Sequence, residues 1–225
     1  MYNYKLLNNH YVVEIDGNHY IIDTGFPCSV TFRSDLHKVE IEGKKKPIEL
    51  QNPAIFRFSI PKTHWLVGYP VDGLLGFDAL SEGVTFYKDN EMGGRVDFTA
   101  HNIDGEVHQI VKFHQNYCPM INVNGDKLFM VDTGARYGYG DISMFVGSNP
   151  FSIVDDYNPS LGSMRSPIFH TSINLKGKGY NIDVCYHERA ISLAGEPNLL
   201  MVYNITDFFE KECCIDYTGR KIIFN

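Results

Sequence analysis

The residues of this chain best placed to do chemistry are two copies of one tripeptide, Asp23-Thr24-Gly25 and Asp132-Thr133-Gly134. Each follows directly on an apolar run, Tyr20-Ile21-Ile22 in the first case and Phe129-Met130-Val131 in the second. A given tripeptide arises by chance in roughly one chain in twenty of this size, so two copies in the same strand-then-turn setting point away from coincidence. Two carboxylates brought face to face share one proton, because like charges about 3 Å apart do not both ionise readily. Such a pair titrates as a unit and supplies a base for a water molecule together with an acid for a carbonyl oxygen. That is the chemistry of hydrolysis without a metal or a covalent nucleophile.

The elements that must position these acids are also duplicated. Tyr11 to Ile22 and Cys118 to Val131 share one layout: an apolar segment, a Gly-containing turn (Asp16-Gly17, Asn124-Gly125), and a second apolar segment ending on the Asp. Asp-Gly and Asn-Gly between apolar runs are strong hairpin signals, since type I′ turns need positive φ at both central residues. Both copies close alike, with Gly94-Arg95-Val96-Asp97-Phe98 and Gly219-Arg220-Lys221-Ile222-Ile223-Phe224. A unit of about 100 residues is thus repeated. The polar stretch Thr99 to Gly105 separates residues 1–100 from residues 101–225.

Composition sets the class. The chain has 225 residues, 44% of them apolar and 13% aromatic, enough to bury one or two ordinary cores. Its formal charge of -7 argues against a phosphate backbone as partner, and Lys44-Lys45-Lys46, the only basic run, suits a solvated loop tip. The five cysteines (Cys28, Cys118, Cys185, Cys213, Cys214) are odd in number, and no leader pattern opens the chain, so a reducing, cytoplasmic compartment is expected. No apolar stretch is long enough for a membrane helix. The nine histidines form no metal-ligand spacing, and no nucleophile elbow or phosphate loop occurs, so no metal or cofactor is expected.

Short apolar runs between Gly, Pro and Asn predict a mostly β chain, with strands at Tyr11 to Ile15, Tyr20 to Ile22, Ile55 to Ile60, Trp65 to Gly68, Val84 to Tyr87 and Val107 to Phe113. Helix is expected only at Asp78 to Glu82, as one turn, and at Ile205 to Lys211, capped by Asn204 or Thr206. Trp65, the single tryptophan, is expected in the core.

The paired Asp-Thr-Gly turns, together with Val71-Asp72-Gly73-Leu74-Leu75-Gly76-Phe77, resemble the aspartic peptidases of the pepsin and retroviral-protease type. In that family a hydrophobic-hydrophobic-Gly segment threads the loop that carries each catalytic Asp. The resemblance covers essentially the whole chain, and the 53 residues from Asp23 to Gly76 are nearer to a retroviral lobe than to a larger pepsin lobe. It implies an all-β, bilobal fold of two pseudo-symmetric β-barrel lobes with the active-site cleft between them. It also implies an aspartic endopeptidase acting as a monomer on a polypeptide substrate, with no nucleic acid and no membrane as partner. Asp23 and Asp132 would be the catalytic dyad. Thr24 and Thr133 would bond across the lobe interface, and Gly25, Gly134, Ala135 and Gly76 would shape and support the site.

The chain departs from the family pattern at several positions. Phe26 stands where a small residue usually follows the glycine, whereas Ala135 conforms. Ser29 conforms, and Gly138 takes its place in the second copy. Arg136-Tyr137-Gly138-Tyr139-Gly140 suits a mobile substrate contact, and in Asn198-Leu199-Leu200-Met201 the threading glycine is replaced by Met201. Neither Phe26 nor Ala135 carries a hydroxyl to donate to an outer carboxylate oxygen, so the dyad is expected to titrate higher than in acid-secreted relatives, with activity nearer neutral pH. Ile41 to Leu50, tipped at Gly43-Lys44, and Asn158 to Phe169, tipped at Leu161-Gly162-Ser163, are the candidate covers of the cleft. Two other readings stand beside the enzyme: a catalytically inactive peptide-binding protein of the same fold, favoured by Phe26 and Met201, and an assembly protein that keeps only the lobes.

Overall fold

The computed structural model describes residues 1–225, residue 193 as backbone only. The protein is mainly β, with 47% of residues in strands and 11% in helices, and one large mixed sheet takes up seventeen strands. No helix among the described residues is long and apolar enough to cross a membrane.

The duplicated hairpins form where the turn residues demand. Strands His10–Ile15 and Asn18–Ile22 pair with Ile15 opposite Asn18, and Asp16 and Gly17 both take positive φ, 50° and 76°. Strands Cys118–Val123 and Lys127–Val131 pair with Val123 opposite Lys127, again over two positive-φ residues, Asn124 at 49° and Gly125 at 90°. The second loop is one residue longer, with Asp126 added. Left-handed backbone costs little only for Gly and for Asn or Asp, which is why these dipeptides fix the turn.

Each hairpin delivers its second strand to a parallel partner from far along the chain. Asn18–Ile22 runs alongside Gly73–Leu75, with Ile22 opposite Leu75. Lys127–Val131 runs alongside Leu199–Tyr203, with Val131 opposite Tyr203. The halves are joined by strand Glu212–Asp216, which pairs with Val84–Asn90 and sets Cys213 opposite Phe86. Beneath the sheet one continuous core holds Tyr11, Ile22, Leu75 and Phe86 from the first half and Phe129, Val131, Phe208 and Ile215 from the second. Complete burial of a side chain such as Phe86 contributes about 1.5–3 kcal/mol, so the interface between halves is as much core as either half alone. All five cysteines are free thiols.

Three expected elements differ. Ile55 to Ile60 and Trp65 to Gly68 are not strands but a 3₁₀ turn, Pro53–Phe56, and a helix, Ile60–Val67. The cause is local: Asn52 Oδ1 accepts the Ala54 N–H, Pro61 sits in the first helical turn, and Gly68 at φ 75° ends the helix by donating to His64 O. The helix buries Thr63, Leu66 and Val67, at i, i+3 and i+4, which leaves Trp65 53% exposed rather than in the core. Ile205 to Lys211 forms turns and no helix, although Ile205, Phe208 and Phe209 are buried and Asp207, Glu210 and Lys211 are exposed; Asn204 Oδ1 takes the Ile205 N–H, and Glu210 and Lys211 donate their N–H groups to Asn225 O instead of to a helical turn.

Candidate active site

The two Asp-Thr-Gly turns meet, and each is held by the other. Thr24 Oγ1 accepts the Thr133 N–H at 3.0 Å and donates to Val131 O at 2.9 Å; Thr133 Oγ1 accepts the Thr24 N–H at 3.0 Å and donates to Ile22 O at 2.8 Å. Both threonines are fully buried. Every one of these bonds crosses from one half of the chain to the other, so the turns are fixed in mirror register by backbone groups that water cannot reach.

Within each turn the carboxylate folds back on its own backbone. Gly25 N–H donates to Asp23 Oδ1 at 2.8 Å, and Gly134 N–H donates to Asp132 Oδ1 at 3.0 Å. The glycines have a second duty, since a Cβ on Gly25 would lie 2.5 Å from Asp132 Oδ1 and one on Gly134 would lie 2.3 Å from Asp23 Oδ2. Each carboxyl therefore rests against the glycine of the opposite turn, close enough to its partner to share a hydrogen bond.

Burial and mutual repulsion set the protonation. Asp23 is pushed well above the ordinary carboxylate range, first by burial and then by the charge of Asp132. Asp132 is also raised by burial, but the hydrogen bond from Asp23 and the Gly134 and Ala135 N–H groups pull the other way. The pair thus retains one proton above the usual carboxylate range and titrates as a unit. No side-chain hydroxyl donates to either carboxylate among the described residues, in keeping with Phe26 and Ala135 after the glycines.

The threading segments reveal a misplacement in the sequence reading. Asp23 N–H donates to Leu75 O and Asp132 N–H to Tyr203 O, both at 2.9 Å, so the residue equivalent to Gly76 is Asn204, three positions beyond Met201. Met201 is an ordinary buried residue of the strand, opposite Phe129. In the first half Gly76 N–H donates to Ser29 Oγ, which itself donates to Asp78 Oδ1 at 2.7 Å. The second half reverses the sizes: Gly138 replaces Ser29, where a Cβ would strike the Tyr203 ring, and Asn204 supplies the side chain. Asn204 Nδ2 lies within hydrogen-bonding distance of Thr133 O (3.1 Å), Ala135 O (3.3 Å) and Asn9 O (2.7 Å). Asn204→Ala is expected to cost about 1–3 kcal/mol in urea unfolding, because it strips buried carbonyls of the second Asp-Thr-Gly turn of their donor.

A cavity of about 390 Å³ opens above the dyad. Phe26, Phe58, Thr63 and Leu66 form its wall on one side, and Tyr137, Tyr157, Leu161 and Met164 form it on the other. Phe26 neither plugs the floor nor enters the core; its ring packs against Phe56 at 5.0 Å and Phe58 at 5.2 Å as part of the wall. The cover comes from the second half alone. Strands Ser152–Asn158 and Gly162–Leu175 carry Tyr157 and Leu161 over the cavity, and Tyr157 Oη accepts the Ser59 N–H at 2.9 Å while donating to Arg57 O at 3.3 Å. Ile41 to Leu50 does not reach the cavity, because Ile41 and Leu50 are drawn into the main core. The segment from Arg136 to Gly140 is also firmer than expected: Gly138–Gly140 is a buried strand, and only Arg136 and Tyr137 lie partly open.

A larger, shallower groove of about 740 Å³, lined by His170, Asp183 and Asp207, shares no residue with the dyad. Among the described residues no three His, Cys, Asp or Glu side chains converge to hold a metal ion. Asn204 and Tyr157 are the residues of the site that sequence reasoning missed. The signal for Asn204 lay in strand length, since a five-residue run Leu199 to Tyr203 must end level with Val131. In sequence comparison no family model and no curated protein matched the chain.

Proposed function

We propose that the chain is an aspartic endopeptidase of the pepsin and retroviral-protease type, with residues 1–100 and 101–225 as pseudo-symmetric β lobes that share one catalytic water. The observation that carries this reading is the mirror arrangement of the two Asp-Thr-Gly turns, each threonine bonded into the other half and each carboxyl seated on the opposite glycine. A like-charge pair in a buried floor is costly to hold, and a fold that uses the floor only for packing gains nothing from it.

In this mechanism the substrate lies extended between the aromatic wall and the Tyr157 hairpin. Asp132, ionised, takes a proton from a water whose oxygen bonds to the scissile carbonyl carbon. Asp23, protonated, donates a hydrogen bond to the carbonyl oxygen and gives up its proton as that oxygen becomes a hydroxyl. Asp132 then returns its proton to the amide nitrogen, the C–N bond breaks, and Asp23 recovers a proton from one hydroxyl of the diol. The dyad ends as it began. The raised protonation of the pair supports activity toward neutral pH.

The test is digestion of a mixed peptide library from about pH 3, below the usual Asp pKa, to pH 8. The Asp23→Asn/Asp132→Asn double variant is the control. Cleavage by the wild type that vanishes in a folded double variant is the expected result. Binding of extended peptides without cleavage at any pH would establish the inactive peptide binder instead.

A further inference from the structure

We infer that Arg136 determines specificity in the cleft by receiving a carboxylate side chain of the substrate, so that the preferred peptide carries a Glu or Asp to one side of the scissile bond. The inference deepens the endopeptidase reading and rests on it for cleavage, but its binding test stands apart from that reading.

Arg136 follows Ala135 in the second catalytic turn and lines the same cavity as Asp23 and Asp132. Its backbone is fixed, since Asn9 Nδ2 donates to Arg136 O at 2.9 Å. Its guanidinium lies 4.9 Å from the Tyr137 ring centroid and 5.7 Å from that of Trp65, on the helix across the cleft. Packing against aromatic rings holds a guanidinium by its carbon plane and leaves its in-plane N–H donors available.

Those donors have no taker. Among the described residues no carboxylate lies within ion-pairing distance of Arg136 and no oxygen accepts from its guanidinium; its charge reaches the buried Asp156 only through space, without a contact. The other acids of the cavity are already spent. Asp156 is buried and accepts from Tyr139 Oη at 2.7 Å and Tyr157 N–H at 2.8 Å, and the dyad carboxylates accept from Gly25 and Gly134. Other arginines of the chain also lack an ion pair, but Arg136 alone among them lines the cavity of the dyad with its guanidinium clamped between aromatic rings, a position that points to an acid arriving with the ligand. Lys62, exposed on the helix that carries Trp65 and donating only to Ser163 Oγ, adds positive charge to the same rim. A carboxylate there gains a planar, charge-assisted contact that a neutral amide of the same shape does not.

Trp65 is the only tryptophan, so its emission reports on this spot directly. Short extended peptides with apolar residues at the centre, and Glu, Gln or Lys scanned through the flanking positions, are titrated into the Asp23→Asn/Asp132→Asn variant and followed by Trp65 fluorescence. The same peptides are given to the wild type for cleavage. At one flanking position the Glu peptide is expected to bind about tenfold to a hundredfold tighter than its Gln twin, the range of a hydrogen-bonded charge pair. In cleavage the difference should appear in KM more than in kcat.

Arg136→Met should level Glu with Gln, and Arg136→Glu should move the preference to Lys. A purely structural role for Arg136 would instead weaken all peptides alike and leave the ratios untouched. Equal binding of Glu and Gln peptides at every position, persistence of the preference in Arg136→Met, or no binding of any peptide overturns the inference, and the first and last of these need no Arg136 variant. A wild type that prefers acidic peptides but never cuts them removes the endopeptidase reading and leaves the acid receptor standing.

Discussion

Thr24→Val is expected to destabilise the protein by about 2–5 kcal/mol although it changes neither shape nor side-chain branching. Valine keeps the stiff χ1 of threonine, so the loss isolates the hydroxyl. That hydroxyl serves two buried backbone groups at once: without it the Thr133 N–H has no partner, and Val131 O keeps only the weak Cys118 S–H donor at 3.3 Å. An orphaned buried group costs about 1–3 kcal/mol, against a total stability of about 5–15 kcal/mol for a domain. At about 2–4 °C per kcal/mol for a chain of this size, the fall in Tm should be about 5–20 °C. Thr24→Ser, which keeps the hydroxyl, should lose far less.

The double variant Thr24→Val/Thr133→Val separates two geometries. The hydroxyls bond to backbone and not to each other, so the second substitution orphans a fresh pair, the Thr24 N–H and Ile22 O, and the costs should add. Were the two hydroxyls bonded mutually, the second loss would be nearly free. Single variants that melt within about 1 °C of the wild type would show that the cross-connection carries no weight, since even one lost hydrogen bond is worth more.

The same local logic explains how much of the site was legible in the sequence. Turn chemistry is short-range, so Asp16-Gly17 and Asn124-Gly125 announced both hairpins, and the strands they join necessarily end on Asp23 and Asp132. What was hidden depends on partners distant in the chain. Ile60 to Val67 carries apolar residues dense enough for a strand, and only Pro61 and Gly68 marked it as a helix. Leu199-Leu200-Met201 matches Leu74-Leu75-Gly76 in local pattern, whereas the true equivalence of Asn204 with Gly76 is set by a parallel register that brings Tyr203 beside Val131. The exchange of Ser29 and Gly76 for Gly138 and Asn204 cannot be read from either segment alone, since each residue is permitted only by the size of its counterpart. Of the two expected covers, Asn158 to Phe169 lines the cavity and Ile41 to Leu50 does not, for a similar reason: Ile41 and Leu50 are apolar enough to overlie a peptide but pack into the core.

Asp23→Asn should make the protein more stable at neutral pH while removing its activity. The carboxyl of Asp23 ionises near pH 3.9 in the unfolded chain, and at a clearly higher pH in the folded one, because burial and the charge of Asp132 disfavour its anion. Between those two values the folded state binds more protons than the unfolded state. Stability from this group is therefore fully present below about pH 3.9 and is lost as the pH rises through the folded pKa. Asparagine carries no proton to lose, and its amide N–H donates to Asp132 where the proton of Asp23 did. The difference in Tm, variant minus wild type, should accordingly be near zero at acid pH, grow as the pH rises, and level off above the folded pKa, reading about 2–4 °C for each kcal/mol of relief. Peptide cleavage should fall by at least about 10²–10⁴-fold, the usual contribution of one positioned acid or base. Stability and activity that move in opposite directions are the signature of a carboxyl kept for chemistry at the expense of the fold. A variant less stable than the wild type at pH 7 would mean instead that the Asp23 anion is paired in the folded state, and the shared-proton dyad would have to be abandoned.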